Sequence, residues 1–215
     1  MIALVVEKRA NQMGGFKMKK LKKLVIATGL MLSMSAFTLT HNSEAATTTH
    51  KIHYGESYWK IAKGFGVPLN SLMTANHRKP LYAGSNMVIP NSMLSTADKD
   101  LLARLVHAEA KGEPYAGKVA VATVILNRLT SPKFPDTIKG IIYQVESGHY
   151  AFTPVQNGTI NQPADTASKQ AVNEALAFYG QGKGSLYFYN PKTSTSKWIL
   201  SREVTTIIGN HRFAK

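Results

Sequence analysis

One carboxylate in this 215-residue sequence falls where a helix should present only apolar side chains. Leu102, Leu105 and Val106 mark the apolar stripe of a helix opened by Ser95 or Thr96, and helical spacing from Leu102 and Leu105 lands on Glu109. A carboxyl group on that stripe loses its water. The negative end of the helix dipole comes close as well if Gly112 ends the helix, and both effects raise the pKa. A raised pKa is what a general acid needs near neutral pH. The competing reading is a helix that frays by Ala108 and leaves Glu109 idle in water. Other chemistry is scarce. The sequence has no cysteine, so no thiol nucleophile, thiolate metal site or disulfide framework can form, and its seven histidines lack a metal-ligand spacing such as HExxH. No metal site and no cofactor is expected.

The elements that must hold Glu109 can be read from the pattern around it. Asp98 and Asp100 fall in the first turn of its helix, where carboxylates complement the dipole. After Gly112-Glu113-Pro114, Pro114 suits a first helical position. Val119 to Leu129 is then apolar almost all round, as a buried helix is, or a buried strand given Val119, Val121, Val124 and Ile125. A further helix is capped by Asp165 or Thr166, carries Val172, Ala175, Leu176 and Tyr179 on one face, and stops at Gly180. Ser185 to Tyr189 and Lys197 to Leu200 alternate as strands do. Helices first and strands last make residues 98–215 an α+β domain.

Segments of different character precede it. Lys17, Lys19, Lys20, Lys22 and Lys23 lead into the uncharged run Leu24 to Leu39 and then Ser43-Glu44-Ala45-Ala46. That is the pattern of a secretory signal peptide over residues 18–45, cleaved after Ala45. The apolar run is shorter than the ~20 residues of a spanning helix, so no stable membrane anchor is expected after cleavage. Residues 1–17 are expected to be an extension ahead of a true start at Met18. Residues 1–45 hold seven of the 26 basic and two of the 12 acidic side chains, so the formal charge of +14 falls to +9 without them. This charge suits anionic polymers outside the cell, and export argues against nucleic acid as a partner. Residues 47–90 read as strand, helix, helix, strand, and residues 91–97 as a short polar linker.

The first of these units carries a family resemblance. His50-Lys51-Ile52-His53-Tyr54-Gly55-Glu56-Ser57-Tyr58-Trp59-Lys60-Ile61-Ala62, Gly66-Val67-Pro68-Leu69-Asn70-Ser71-Leu72 and Ala83-Gly84-Ser85-Asn86-Met87-Val88-Ile89-Pro90 resemble a LysM module over its whole length, with Glu56 where an aspartate is usual. The resemblance implies a βααβ module that binds N-acetylglucosamine-containing glycans in a shallow groove. That groove would set Gly55, Glu56, Ser57 and Tyr58 against Leu81 and Tyr82.

Residues 98–215 resemble the SleB/CwlJ family of spore-cortex-lytic cell-wall hydrolases. The likeness rests on His107-Ala108-Glu109-Ala110-Lys111-Gly112-Glu113-Pro114-Tyr115, Val124-Ile125-Leu126-Asn127-Arg128, Ala151-Phe152-Thr153-Pro154-Val155, Tyr187-Phe188-Tyr189-Asn190-Pro191 and Gly209-Asn210-His211-Arg212-Phe213. Val145 to Tyr150 is longer than the family's usual link. The resemblance implies a mainly helical, lysozyme-like or lytic-transglycosylase-like domain with a small β element. Glu109 would be its single catalytic residue, cleaving peptidoglycan between N-acetylmuramic acid and N-acetylglucosamine with closure of a 1,6-anhydro end. Glu113, Tyr143, Gln144, Phe152, Thr153, Gln156, Tyr189, Asn190, Trp198 and His211 are expected to bind the sugar, since saccharide sites mix aromatic faces with amide and hydroxyl groups. For each of these a core position is an equal reading, and for Trp198 and Phe213 it is the preferred one.

Two alternatives stay open. A muramidase-type hydrolase would pair Glu109 with Glu113 or Glu146, since such carboxylates stand about 5 to 9.5 Å apart. A non-catalytic wall- or spore-binding protein would use the LysM groove alone. In every case the expected location is outside the membrane, in the cell wall or the spore cortex or coat.

Overall fold

Residues 48–215 are described in the computed structural model of the protein. The signal-peptide and N-terminal-extension expectations lie outside them. Strand β1 (Thr48–Lys51) opens the chain, followed by helices α1 (Tyr58–Phe65) and α2 (Leu69–Ala75) and strand β2 (Asn86–Ile89). β1 pairs antiparallel with β2, Thr48 opposite Ile89 and Lys51 opposite Asn86. The Ser57 hydroxyl caps α1, and Gly66 closes it in the left-handed conformation that a glycine adopts without strain. Asn76 then fastens α2 to the sheet: its side-chain amide donates to the Leu72 and Val88 carbonyls and accepts from the Val88 N–H. Ile52, Ile61, Ala62, Val67, Leu72, Met87 and Ile89 form the small core between them.

The polar segment after β2 is no loose tether. The Ser92 hydroxyl donates to the Gly66 carbonyl at 2.8 Å, and Leu94 is buried in the core that follows. That core is built on α3 (Thr96–Glu109), capped by the Ser95 side chain, and α4 (Tyr115–Leu129). The two readings of Val119–Leu129 are resolved in favour of a helix. Its length allows this, since fifteen residues are too many for an ordinary strand. Next come α5 (Ile138–Ile142), strands β3 (Val145–Glu146) and β4 (His149–Tyr150), and the short helix α6 (Thr153–Gln156). The added Val145–Tyr150 stretch is thus a small exposed hairpin whose turn, Ser147-Gly148, has positive φ at both residues. A 3-10 turn at Thr159–Asn161 leads to α7 (Thr166–Ala177), where Asp165 is the cap.

A three-stranded antiparallel sheet completes the domain: β5 (Tyr187–Tyr189), then helix α8 (Lys197–Leu200), then β6 (Val204–Ile208) and β7 (His211–Ala214), in the order β5-β7-β6. The sequence reading of Lys197–Leu200 as a strand is corrected, because these four residues form one helical turn. Four residues are too few for the two periodicities to separate. The whole is α+β and mainly helical.

Helix α7 is shared between the two cores. Its buried face packs on α3 and α4 through Ala171, Val172, Ala175 and Leu176, while Ala177 at its end belongs to the core of the βααβ unit. Polar contacts reinforce this seam. Glu174 accepts from the Tyr115 hydroxyl at 2.9 Å and pairs with Lys63, and the Lys99 ammonium donates to the Phe65 carbonyl. Among the described residues no helix is long and apolar enough to cross a membrane.

Because Leu105 is fully buried between α3 and its neighbours, Leu105→Ala should lower the free energy of unfolding by about 2–5 kcal/mol, measured by urea denaturation.

Candidate active site

Helix α3 delivers Glu109 as its last residue. The backbone stays helical to that point, with the Ala110 N–H donating to the Val106 carbonyl at 2.9 Å, so the frayed alternative does not hold. Four of the last eight residues of α3, Leu102, Ala103, Leu105 and Val106, are fully buried, and this packing fixes the end of the helix. The Glu109 side chain is only partly exposed, and among the described residues it has no hydrogen bond or ion pair. Burial pushes its pKa from the ordinary 4.5 up to about 7.

Two cavities meet at this carboxyl. One, of about 350 Å³, is lined by His107, Glu109, Lys111, Thr153, Asn157, Thr159 and Gln162. The other, of about 390 Å³, brings together Glu109, Arg128, Phe152, Thr153, Phe188, Tyr189, Asn190, Thr193, Ser194 and His211. Glu109 and Thr153 belong to both, so they sit at the junction of a continuous cleft. Among the described residues, neither cavity is lined by a second carboxylate.

Of the residues expected from the sequence to bind sugar, Phe152, Thr153, Tyr189, Asn190 and His211 share a cavity with Glu109. Burial lowers the His211 pKa from 6.5, against the pull of the Glu113 carboxylate, so its imidazole is neutral at neutral pH. Five others line neither cavity. Glu113 accepts from the backbone N–H (2.9 Å) and side-chain amide (3.1 Å) of Asn210 and so pins the tip of the β6–β7 hairpin. It lies so close to Gly209 that any β-carbon there would collide with it. Nor does it cap α4, whose N-terminus has no side-chain cap. Tyr143 and Gln156 are exposed, and the Gln144 carbonyl accepts from the Ala151 N–H. Trp198 is half exposed rather than core, lying edge-on to Tyr187 with the Arg202 guanidinium over its ring. Glu146 stands exposed on β3.

Sequence reasoning missed the wall formed by His107, Lys111, Asn157, Thr159 and Gln162, and it missed Arg128. His107 stands two residues before Glu109, on a different face of an ideal helix, so periodicity gives no hint of it. Its ring approaches Asp165, the cap of α7, at 3.3 Å, with the buried Lys118 ammonium at 3.9 Å from the same oxygen. The Asp165 pKa is held down to about 2 by Ser168, whose backbone N–H donates to Asp165 at 2.7 Å, keeping that carboxylate charged.

In the βααβ unit the Tyr58 hydroxyl donates to the Lys79 carbonyl at 2.8 Å, tying the loop of Gly55, Glu56 and Ser57 to the one that leads into Leu81 and Tyr82. Tyr82 is exposed, and Tyr58 packs partly on the core. The histidines are less scattered than the sequence suggests. The turn after β1 brings His50 and His53 onto Glu56, whose Oε2 lies 2.7 Å from the His50 Nε2 and accepts from the His53 N–H. All three could offer ligand atoms within 4.8 Å of one another.

Comparison with known proteins places this architecture. The Cell Wall Hydrolase family profile matches residues 112–214, and the LysM domain profile matches residues 50–90. The cell wall hydrolase CwlJ of Bacillus subtilis is 33% identical over 104 residues, which cover 70% of that protein. The chain belongs to the cell wall hydrolase family. The profile match begins just past Glu109. A spore cortex-lytic enzyme of Bacillus cereus is 43% identical over 147 residues, 68% of this chain and 54% of that protein. The chain thus spans about half the length of that curated relative, and less of others. Among solved structures, the catalytic domain of the germination-specific lytic transglycosylase SleB from Bacillus anthracis aligns over 59% of this cell wall hydrolase and 100% of that domain, at 42% identity and a TM-score of 0.53. That likeness confirms the mainly helical α+β fold.

The raised pKa of Glu109 is also a statement about stability. The native state binds this proton more tightly than the unfolded chain, so the stabilisation is present in full below pH 4.5 and is lost as pH rises through about 7. Two and a half pH units correspond to about 3 kcal/mol. Glu109→Gln should remove this part of the pH dependence, making the variant more stable than the parent at pH 8 but not at pH 4, as read by denaturant melts at both.

Proposed function

We propose that this cell wall hydrolase is an exported enzyme that cleaves the glycan strands of bacterial peptidoglycan, acting as a lytic transglycosylase between N-acetylmuramic acid and N-acetylglucosamine. Glu109 is its acid and then its base. One observation supports this above the others: a single buried carboxyl with a pKa near 7 stands at the junction of two sugar-sized cavities that hold no second carboxylate.

The chemistry follows from that geometry. A protonated Glu109 donates to the leaving glycosidic oxygen as an oxocarbenium-like centre develops on the muramyl residue. A hydrolase would then need a second group to activate water or trap the sugar. Here the muramyl 6-hydroxyl supplies the nucleophile from within the substrate, and the ionised Glu109 takes its proton. Intramolecular capture of this kind carries a large effective molarity, so no second carboxylate is required. The two-carboxylate alternative has less support because Glu113 is engaged by Asn210 and neither it nor Glu146 lines a cavity with Glu109.

The LysM unit gives the enzyme a second hold on the same polymer, through the groove between the Gly55–Tyr58 and Leu81–Tyr82 loops. The spore cortex-lytic relatives favour spore cortex as the substrate, with the cell wall or cortex as the site of action and the segment over residues 18–45 directing export. In this reading residues 47–90 bind glycan, 91–97 join the units and 98–215 catalyse.

Digesting purified cortex and vegetative sacculi and weighing the new ends tests this directly. Anhydro-muramyl ends are expected, with a rate that declines as pH rises above about 7, because the acid must be protonated. Glu109→Gln should lower the rate at least about 100-fold, the lower end of what a general acid contributes. Reducing ends would instead make the enzyme a hydrolase, and free stem peptides would overturn the glycosidase reading.

A further inference from the structure

Arg128 lies at the end of α4, only 8% exposed, and lines the same cavity as Glu109. Three aromatic rings hold its guanidinium plane, with Phe134 at 4.6 Å, Phe152 at 5.4 Å and Tyr187 at 5.7 Å. Its Nε–H donates to the Leu186 carbonyl at 2.7 Å. The two terminal amino groups have no acceptor among the described residues, and neither is sealed from the cavity. Burial lowers the pKa only to about 10, so the group is charged at neutral pH. No ion pair joins it to Glu109, and it leaves the Glu109 proton undisturbed.

A buried cation with four unused N–H donors is expensive unless something completes its hydrogen bonding. The aromatic rings offer faces but no lone pairs in the guanidinium plane. Anchoring β5 does not explain the charge either, because the neighbouring Asn127 amide already donates to the Ser185 carbonyl at 2.9 Å with a neutral group. Water can meet these donors in the free cleft, and a ligand group entering it can take the place of that water. A guanidinium fork matches a carboxyl-derived group, whose oxygens lie in one plane. Both alternating sugars carry an N-acetyl carbonyl, but only the muramyl residue adds a further carboxyl-derived group, on its 3-O-lactyl arm.

We propose that Arg128 is the residue by which the cleft selects the muramyl sugar, its terminal amino groups donating to the carboxyl oxygen of the lactyl substituent. This rests on the glycan-cleaving reading of the Glu109 cleft, and it fixes the direction in which a strand lies there. The muramyl residue occupies the half lined by Arg128, Phe152, Tyr189 and Asn190, and its N-acetylglucosamine neighbour the half lined by His107, Asn157 and Gln162.

The test is a binding comparison that needs no turnover, made with the full chain carrying Glu109→Gln. Two soluble probes are titrated: a tetrasaccharide of alternating N-acetylglucosamine and N-acetylmuramic acid, and chitotetraose, which lacks the lactyl arm. The backbone amide resonances of Thr153 and Asn190 report the cleft, and that of Tyr58 reports the LysM groove separately. Adding Arg128→Gln should reduce the muramyl preference at the cleft at least about tenfold, with Tyr58 unaffected, while Asn127→Ala, which loosens the same strand, should keep it. Arg128→Lys, with a cation still in the aromatic box, should retain part of it and guards against a variant lost to misfolding. A muramyl probe bearing a stem peptide separates a free carboxylate from an amide carbonyl as the acceptor. Its preference should also depend on Arg128, less steeply, since the amide is neutral.

An unchanged preference in Arg128→Gln, an equal loss in Asn127→Ala, or an equal weakening of both probes would each overturn the proposal. If the parent chain shows the preference but cleaves no glycan, the glycosidase reading fails while the Arg128 assignment stands.

Discussion

The withdrawal of one carboxyl group from water governs this structure. Glu109 is carried to the end of α3 by a helix whose preceding turns are locked into the core, and there it meets neither a cation nor a hydrogen-bond donor among the described residues. The fold could have relaxed this in several ways, since Lys111, His107 and Arg128 all lie in the cavity walls. Lys111 makes no ion pair with Glu109, and the other two are engaged elsewhere. His107 faces Asp165, and Arg128 is held by aromatic rings and the Leu186 carbonyl. A group that would be ionised at pH 7 on an open surface is thereby poised between its two forms, as a residue must be if it is to give a proton and then take one back.

The remaining elements serve that position. Helix α7 backs α3 and α4 over its length, and its first residue's neighbour, Asp165, orders the wall beside Glu109. The sheet β5-β7-β6 supplies the opposite wall with Tyr189 and His211, and its hairpin tip is held by Glu113. Because α7 also contributes Ala177 to the LysM core, and Glu174 binds both Lys63 and Tyr115, the LysM unit is joined to the same scaffold that places Glu109.

Much of this was legible in the sequence because it is local. Helical spacing from Leu102 and Leu105 is enough to put Glu109 on the buried face, and Ser95 and Asp165 announce their helices as caps do. The βααβ unit was legible from its turn residues and apolar positions. What escaped was set by contacts between residues distant in the chain. Glu113 reads as a helix cap or a second catalytic group until β6 and β7, nearly a hundred residues on, bring Asn210 to it. Arg128 looks like a basic residue ending an apolar helix, and only the arrival of Phe134, Phe152 and Tyr187 reveals a buried guanidinium. Lys197–Leu200 was misread because one turn of helix and a short strand share the same apolar content. Trp198 was misplaced because residue type says nothing of which way a single turn faces.

The most direct measurement is the titration of Glu109 itself, following its side-chain carboxyl carbon by NMR across pH 3 to 10. A midpoint near pH 7 is the expected result, as burial without a compensating partner requires. A midpoint near 4.5, that of a carboxyl in water, would contradict the desolvated site on which the proposed chemistry depends.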